Sequence, residues 1–227
     1  MHDTQPKILP LGDQAAVVQF GNEISREVNL RSISLSEYLS ANPFPGYVES
    51  IPAYASTTVF YDVIAVRDEF DSYATAFAAL VDVLRSALAK ISASEAQDRP
   101  TIEIPTIFDE KSGPDLESVA HVCGISSDEV IEIFTSSQYR VYMVGFLPGF
   151  AYMGEVDERL AVPRKPQPRQ AVPKGSVGIA GRQTGIYPLE SPGGWQLIGR
   201  TDVELFTPQK ESPTLFHPGD QVRFVAV

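Results

Sequence analysis

The chain has 227 residues, of which 43% are apolar, and its 29 acidic and 18 basic side chains give a formal charge of −11. That length holds one large or two small domains with a substantial core, and the acidic balance excludes a general nucleic-acid-coating surface, which needs positive charge to displace counterions. No apolar run approaches the ~20 residues of a membrane span, Met1 to Lys7 has no hydrophobic signal core, and the single cysteine, Cys123, excludes an intrachain disulfide and a Cys-based zinc site. The expectation is a cytoplasmic protein without membrane or nucleic-acid partners.

From the N-terminus, Ala15 to Phe20 reads as a short strand closed by Gly21. Ile24, Val28, Leu35 and Leu39 fall near helical spacing and Asn42-Pro43 ends that helix. Tyr47 to Ala55 and Thr57 to Val66 read as two strands rich in β-branched and aromatic residues. Tyr73, Phe77, Leu80, Leu84, Leu88 and Ile91 step by three and four, which predicts a strongly amphipathic helix. Ser92 to Pro100 reads as a linker and Thr101 to Ile104 as a strand belonging to either half. The order β-α-β-β-α matches a split βαβ, or ferredoxin-like, sandwich. Two short helices are predicted next, one after Gly113-Pro114-Asp115 and one after Ser126, whose spacing to Glu129 is that of a capping box.

Composition shifts near Tyr139. Residues 1–139 carry a net charge of −13 and residues 140–227 a net of +2, and the latter hold 11 of 16 Gly and 10 of 18 Pro. Many short strands joined by turns, as in a β-barrel or sandwich, are predicted there.

Four stretches of this second half are candidates for chemistry. Gly145-Phe146-Leu147-Pro148-Gly149-Phe150 turns sharply after a strand, and Phe146 and Phe150 either wall an apolar pocket or fill a core; spacing alone favours the core. Arg159 to Leu189 contains Arg164, Lys165, Arg169, Lys174 and Arg182 and no acid, so it holds a phosphate or carboxylate or packs on an acidic surface. Gly175 to Gly185 is neither a Walker A loop nor a dinucleotide fingerprint and reads as a tight strand pair. Ile186 to Trp195 presents Tyr187, Glu190 and the single tryptophan between rigid turns, with Glu190 as an acid, a base or the ion-pair partner of Arg169 or Arg182. His2, His121 and His217 are too scattered to suggest a metal site.

Several of these segments resemble one bacterial family: Leu9 to Ala15, Ile51 to Tyr54, Gly113 to Leu116, Gly145 to Phe150, Val172 to Gly185, Tyr187 to Thr201 and Pro218 to Phe224. The family is that of the 5-oxoprolinase B-type chain (PxpB), which includes the kinase inhibitor KipI and is also labelled allophanate hydrolase subunit 1. The resemblance covers essentially the whole chain. It implies an α+β protein, with a ferredoxin-like α/β sandwich over 4–97 and a cyclophilin-like β-barrel over 100–227.

The resemblance also implies a function. Members act with PxpC-like and PxpA-like partners as an ATP-dependent 5-oxoprolinase, which opens 5-oxo-L-proline to L-glutamate. ATP, with Mg2+, is the expected cofactor, bound in this chain or only in the complex, and no structural metal is expected; the chain alone is expected to be inactive. Two alternatives are a KipI-like inhibitor of a sensor histidine kinase and a carboxyltransferase component of the urea carboxylase type. By the resemblance, Arg169 is the anion-binding candidate, with Arg182 as a second cofactor contact. Gln183, Tyr187 and Glu190 are the candidate catalytic polar groups, and Phe146, Phe150 and Trp195 shape the substrate pocket. Three positions depart from the family pattern: Asp109-Glu110-Lys111 replaces a Gly-Gly-Glu-like turn, Phe134 replaces a His, and Lys174 replaces an Ala.

Overall fold

The computed structural model describes residues 5–91 and 101–227. The segment expected to be a linker, 92–100, lies outside them. The chain divides into two units, Met1–Gln97 and Asp98–Val227.

In the first unit, β1 (Lys7–Pro10) and β2 (Ala15–Gln19) lead into α1 (Arg26–Ala41), and β3 (Tyr47–Pro52) and β4 (Ser56–Tyr61) lead into α2 (Val63–Glu69) and α3 (Ala76–Leu88). The four strands form one antiparallel sheet in the order β1-β2-β4-β3. This is the strand order of a ferredoxin-like sheet, with the fourth place filled from the N-terminus by β1. The β1 strand has only four residues, one of them Pro10, so sequence patterning misses it. Thr57 to Val66 does not run on as one strand. The Asp62 carboxylate accepts the Ile64 and Ala65 amides and starts α2, and a cap of this kind overrides the β-propensity of Val63, Ile64 and Val66. The helical stripe predicted from Tyr73 is α3, capped by Thr75, with Leu80 and Leu84 in the core. By contrast, α1 meets the sheet through hydroxyls as well as apolar groups. The Ser32 hydroxyl lies 2.6 Å from the Ser56 carbonyl oxygen and 3.0 Å from the Thr57 hydroxyl, and this polar seam weakens the apolar periodicity of α1.

The second unit begins with β5 (Thr101–Thr106), α4 (Leu116–Cys123) and α5 (Ser127–Ser136). The strands β6 (Tyr139–Val144), β7 (Ala151–Gly154), β8 (Arg169–Val172), β9 (Ser176–Ala180), β10 (Gln183–Ile186), β11 (Ser191–Gly193), β12 (Gln196–Arg200) and β13 (Gln221–Ala226) follow. Six of these and β5 form one seven-stranded sheet in the order β12-β9-β10-β7-β6-β13-β5, and β8 pairs with β11 as a separate ribbon. β5 belongs to this sheet, parallel to β13. Just beyond β5, the Ile107 amide donates to the Arg200 carbonyl at 2.8 Å and the Arg200 amide donates back at 2.9 Å, which brings the two edges together and nearly closes a barrel. The Ser126–Glu129 capping box at the start of α5 forms as its spacing predicts. Phe134 is wholly buried, with its ring 4.7 Å from that of Phe224 and 5.0 Å from that of Tyr139. It is therefore a core residue of the barrel, and its departure from the family pattern is absorbed by packing.

Candidate functional site

The Gly145–Phe150 turn projects an aromatic side chain where most residues would be strained. The Leu147 amide donates to the Gly145 carbonyl at 2.9 Å, and Phe146 between them has φ 71°, a left-handed γ-turn that disfavours any side chain. Phe146 is nevertheless 60% exposed. Its ring meets that of Phe150 edge-on at 5.5 Å. Phe150 in turn contacts Tyr152 at 4.8 Å, Tyr187 at 5.4 Å and Trp195 at 5.6 Å, so five aromatic rings form one cluster leading from the core to the surface. Tyr187 is buried beside the β11 backbone, and a Cβ at Gly193 would fall onto its hydroxyl, which is why glycine stands there. Burial pushes the Tyr187 and Tyr152 phenols up, while Arg164 near both and the Trp195 backbone beside Tyr187 pull the other way. Both are therefore neutral hydrogen-bonding groups at physiological pH.

Beside this cluster lies an ion cluster centred on Asp115. The Arg169 Nη2 reaches both Asp115 oxygens, at 2.7 and 2.8 Å, and the Lys165 Nζ reaches Oδ1 at 2.8 Å. The Leu197 amide donates to the same carboxylate at 2.7 Å, and the Asp115 amide donates to the Leu197 carbonyl at 2.9 Å. Asp115 begins α4 but makes no side-chain cap to it, so its carboxylate is wholly given to the clamp. Gly113 allows the approach, since an added Cβ would overlap the Ile198 carbonyl. Burial alone would push the Asp115 carboxyl up, but the hydrogen bonds from Arg169, Lys165 and Leu197 hold it below the usual carboxylate range. The Arg169 Nη1 also approaches the Trp195 carbonyl at 3.5 Å, and the Arg164 guanidinium lies over the Trp195 ring at 6.0 Å, which joins the ion cluster to the aromatic one. Two cations thus share a single carboxylate while a third, Arg164, rests by the Trp195 ring, and the excess of positive charge favours an anionic ligand with a flat or apolar part. Among the described residues no group of three or more His, Cys, Asp or Glu is arranged to hold a metal.

A family model described as carboxyltransferase domain, subdomain C and D, matches residues 6–216. The chain belongs to this family. It is 45% identical over 222 residues to a Bacillus subtilis protein named as the B subunit of 5-oxoprolinase, covering 97% of this chain and 92% of that one. A protein of the same name from Escherichia coli is 40% identical, covering 95% and 93%. The crystal structure of TTHA0988 superposes with a TM-score of 0.82 at 37% identity over 94% of this chain, which spans 40% of that longer chain.

Within this family fold, the residues singled out from the sequence fall into separate places. Phe146, Phe150, Tyr187, Trp195 and Arg169 fall in one cluster, in which Phe146 is exposed, Arg169 is partly exposed and the other three are buried. Arg182 is elsewhere, with Glu158 at 3.3 Å and Glu155 at 3.9 Å. Gln183 starts the same strand that ends just before Tyr187, about 13 Å away along the chain. Glu190 is exposed in the turn before β11. It is not the ion-pair partner of either arginine, because Asp115, Glu155 and Glu158 take those places. Lys174 pairs with Glu204 at 2.7 Å on the surface. Asp115 and Tyr152 are the members that sequence reasoning missed. Asp115 stands in the Gly113 to Leu116 motif, but its partners lie about 50 residues away, beyond the reach of local spacing.

Proposed function

We propose that this chain is the B-type component of a cytoplasmic, ATP-dependent 5-oxoprolinase, working with PxpA-like and PxpC-like partners and inactive alone. The observation that carries the reading is the 45% identity, across nearly the full length of both chains, with a protein named as the B subunit of 5-oxoprolinase. The site supports it by its chemistry. A five-membered lactam is a stable amide, and transfer of a phosphoryl group from ATP to its oxygen, with ADP leaving, makes the carbon electrophilic. Water then adds, the ring C–N bond breaks as nitrogen takes a proton, and a second water releases phosphate from the resulting acyl phosphate. The aromatic cluster would shelter the ring, and the cations beside it would stabilise negative charge. In this assignment Tyr187 is a buried hydrogen-bonding group of the site, Arg169 supplies charge from its clamp, and Gln183, Glu190 and Arg182 act only where a partner chain extends the surface. The donor set fits one oxyanion better than a metal-bound triphosphate, because Asp115, the carboxylate of the cluster, is already held by Arg169 and Lys165. ATP and Mg2+ are accordingly assigned to the assembled complex.

The test is ATP-dependent glutamate release from 5-oxoproline by the three mixed chains, with each omitted in turn. Turnover that stops when this chain is left out supports the proposal. Turnover that continues without it, or an assembled complex with no turnover, overturns it; kinase inhibition and carboxyl transfer are then the activities to assay.

A further inference from the structure

The cations of the site are not equivalent. Arg169 spends its Nη2 on both Asp115 oxygens and Lys165 spends its ammonium on one of them, and their side chains are 25% and 31% exposed. Arg164 is exposed, and among the described residues it has no carboxylate partner; its contact is the Trp195 ring. The backbone that carries this arginine is held on both sides. The Gln196 side-chain amide donates to the Pro163 carbonyl at 3.0 Å, and the Lys165 amide donates to the Gly194 carbonyl at 2.7 Å. Pro163 and Pro166 stiffen the same stretch. A held backbone lowers the ordering cost of binding, and a guanidinium with no carboxylate partner keeps its planar fork for a ligand.

We propose that Arg164 is the ligand-contacting cation of this site, taking an oxyanion beside the aromatic cluster in which Trp195 is buried and Phe146 is the exposed ring, while Asp115 and Arg169 position the loop that carries it. Two sources share that chemistry: the carboxylate of a small cyclic amide and a phosphate group. The first rests on the function proposed above; the oxyanion site itself does not. Specificity follows from the split of roles. A neutral lactam would find the aromatic wall but leave Arg164 without a partner, and so should bind far more weakly than its carboxylated counterpart.

Trp195 is the single tryptophan of the chain and lies under Arg164, so tryptophan fluorescence reports on this cluster. The full-length chain is titrated separately with 5-oxoproline, with the uncharged lactam 2-pyrrolidone and with inorganic phosphate. The expected result is a saturable change with 5-oxoproline, at least tenfold weaker with 2-pyrrolidone, and weakened at least tenfold by Arg164→Gln. Arg164→Lys should recover only part of the loss, because it restores charge without the planar fork. Lys174→Gln, which removes a surface cation paired with Glu204, should titrate as the wild type. In the assembled enzyme Arg164→Gln should raise KM for 5-oxoproline more than it lowers kcat. A response to phosphate but not to 5-oxoproline supports the oxyanion site and removes the substrate assignment. No saturable response to either anion, or Arg164→Gln titrating as the wild type with an unchanged unfolding midpoint, overturns the proposal.

Discussion

Asp115 shows how one carboxylate organises a charged surface. Its side chain is 5% exposed and accepts from Arg169, Lys165 and the Leu197 amide. Removing one partner of such a buried cluster leaves the others uncompensated, which costs about 3 kcal/mol. Asp115→Asn should therefore lower the urea midpoint by an amount of that order. The pH dependence has a definite sign. The native carboxyl lies below its ordinary value of 3.8, so its contribution is complete above that value and is lost as pH falls through the lower native one. The stability gap between wild type and Asp115→Asn, measured by urea unfolding at a series of pH values, should be constant near neutrality and narrow below about pH 4. Phe146 presents the opposite case, a residue whose backbone is disfavoured and whose side chain is displayed. Phe146→Gly relieves about 1 kcal/mol of left-handed strain and loses the edge contact with Phe150, so unfolding should stay within about 1 kcal/mol of wild type. Turnover of the assembled complex should nevertheless fall at least tenfold, since the exposed wall of the site is gone. A large loss of stability with intact turnover would assign Phe146 to packing.

At the scale of elements, the two-stranded ribbon of β8 and β11 links the parts of the site. Gly193 pairs with Arg169 across it, and the same glycine leaves space for the Tyr187 hydroxyl. Gly193→Ala should displace Tyr187 and disturb the neighbouring Trp195, visible as a changed Trp195 emission maximum and a destabilisation of about 1–3 kcal/mol from overpacking. Unchanged emission would show that the ribbon shifts freely. Elements were legible in the sequence where a local rule governed them. The stripe of α3 and the capping box of α5 need only neighbouring residues. α2 and β1 were not legible, because a single cap decided one and pairing with β2 decided the other.

For the whole molecule, β13 is the strand on which the second unit depends. It lies between β6 and β5, pairs in parallel with the strand that opens the unit, and brings Phe224 into the core. A chain ending at Asp220 should lose the barrel, because both neighbours would keep unpaired edges and Phe134 would lose its closest ring contact. The four-stranded sheet and helices of the first unit contain their own core and should survive. Limited proteolysis should then leave a resistant fragment of the first unit, and a resistant fragment from the barrel would contradict the role given to β13. The sequence by itself determined the helix-bearing front, the turn-rich back and the segments that resemble the family, since periodicity, caps and Gly/Pro spacing are local properties. Only the tertiary structure decided which charges remain available. Arg164, Lys165 and Arg169 are alike as a run of cations, and they differ because folding brings Asp115 to two of them and the Trp195 ring to the third.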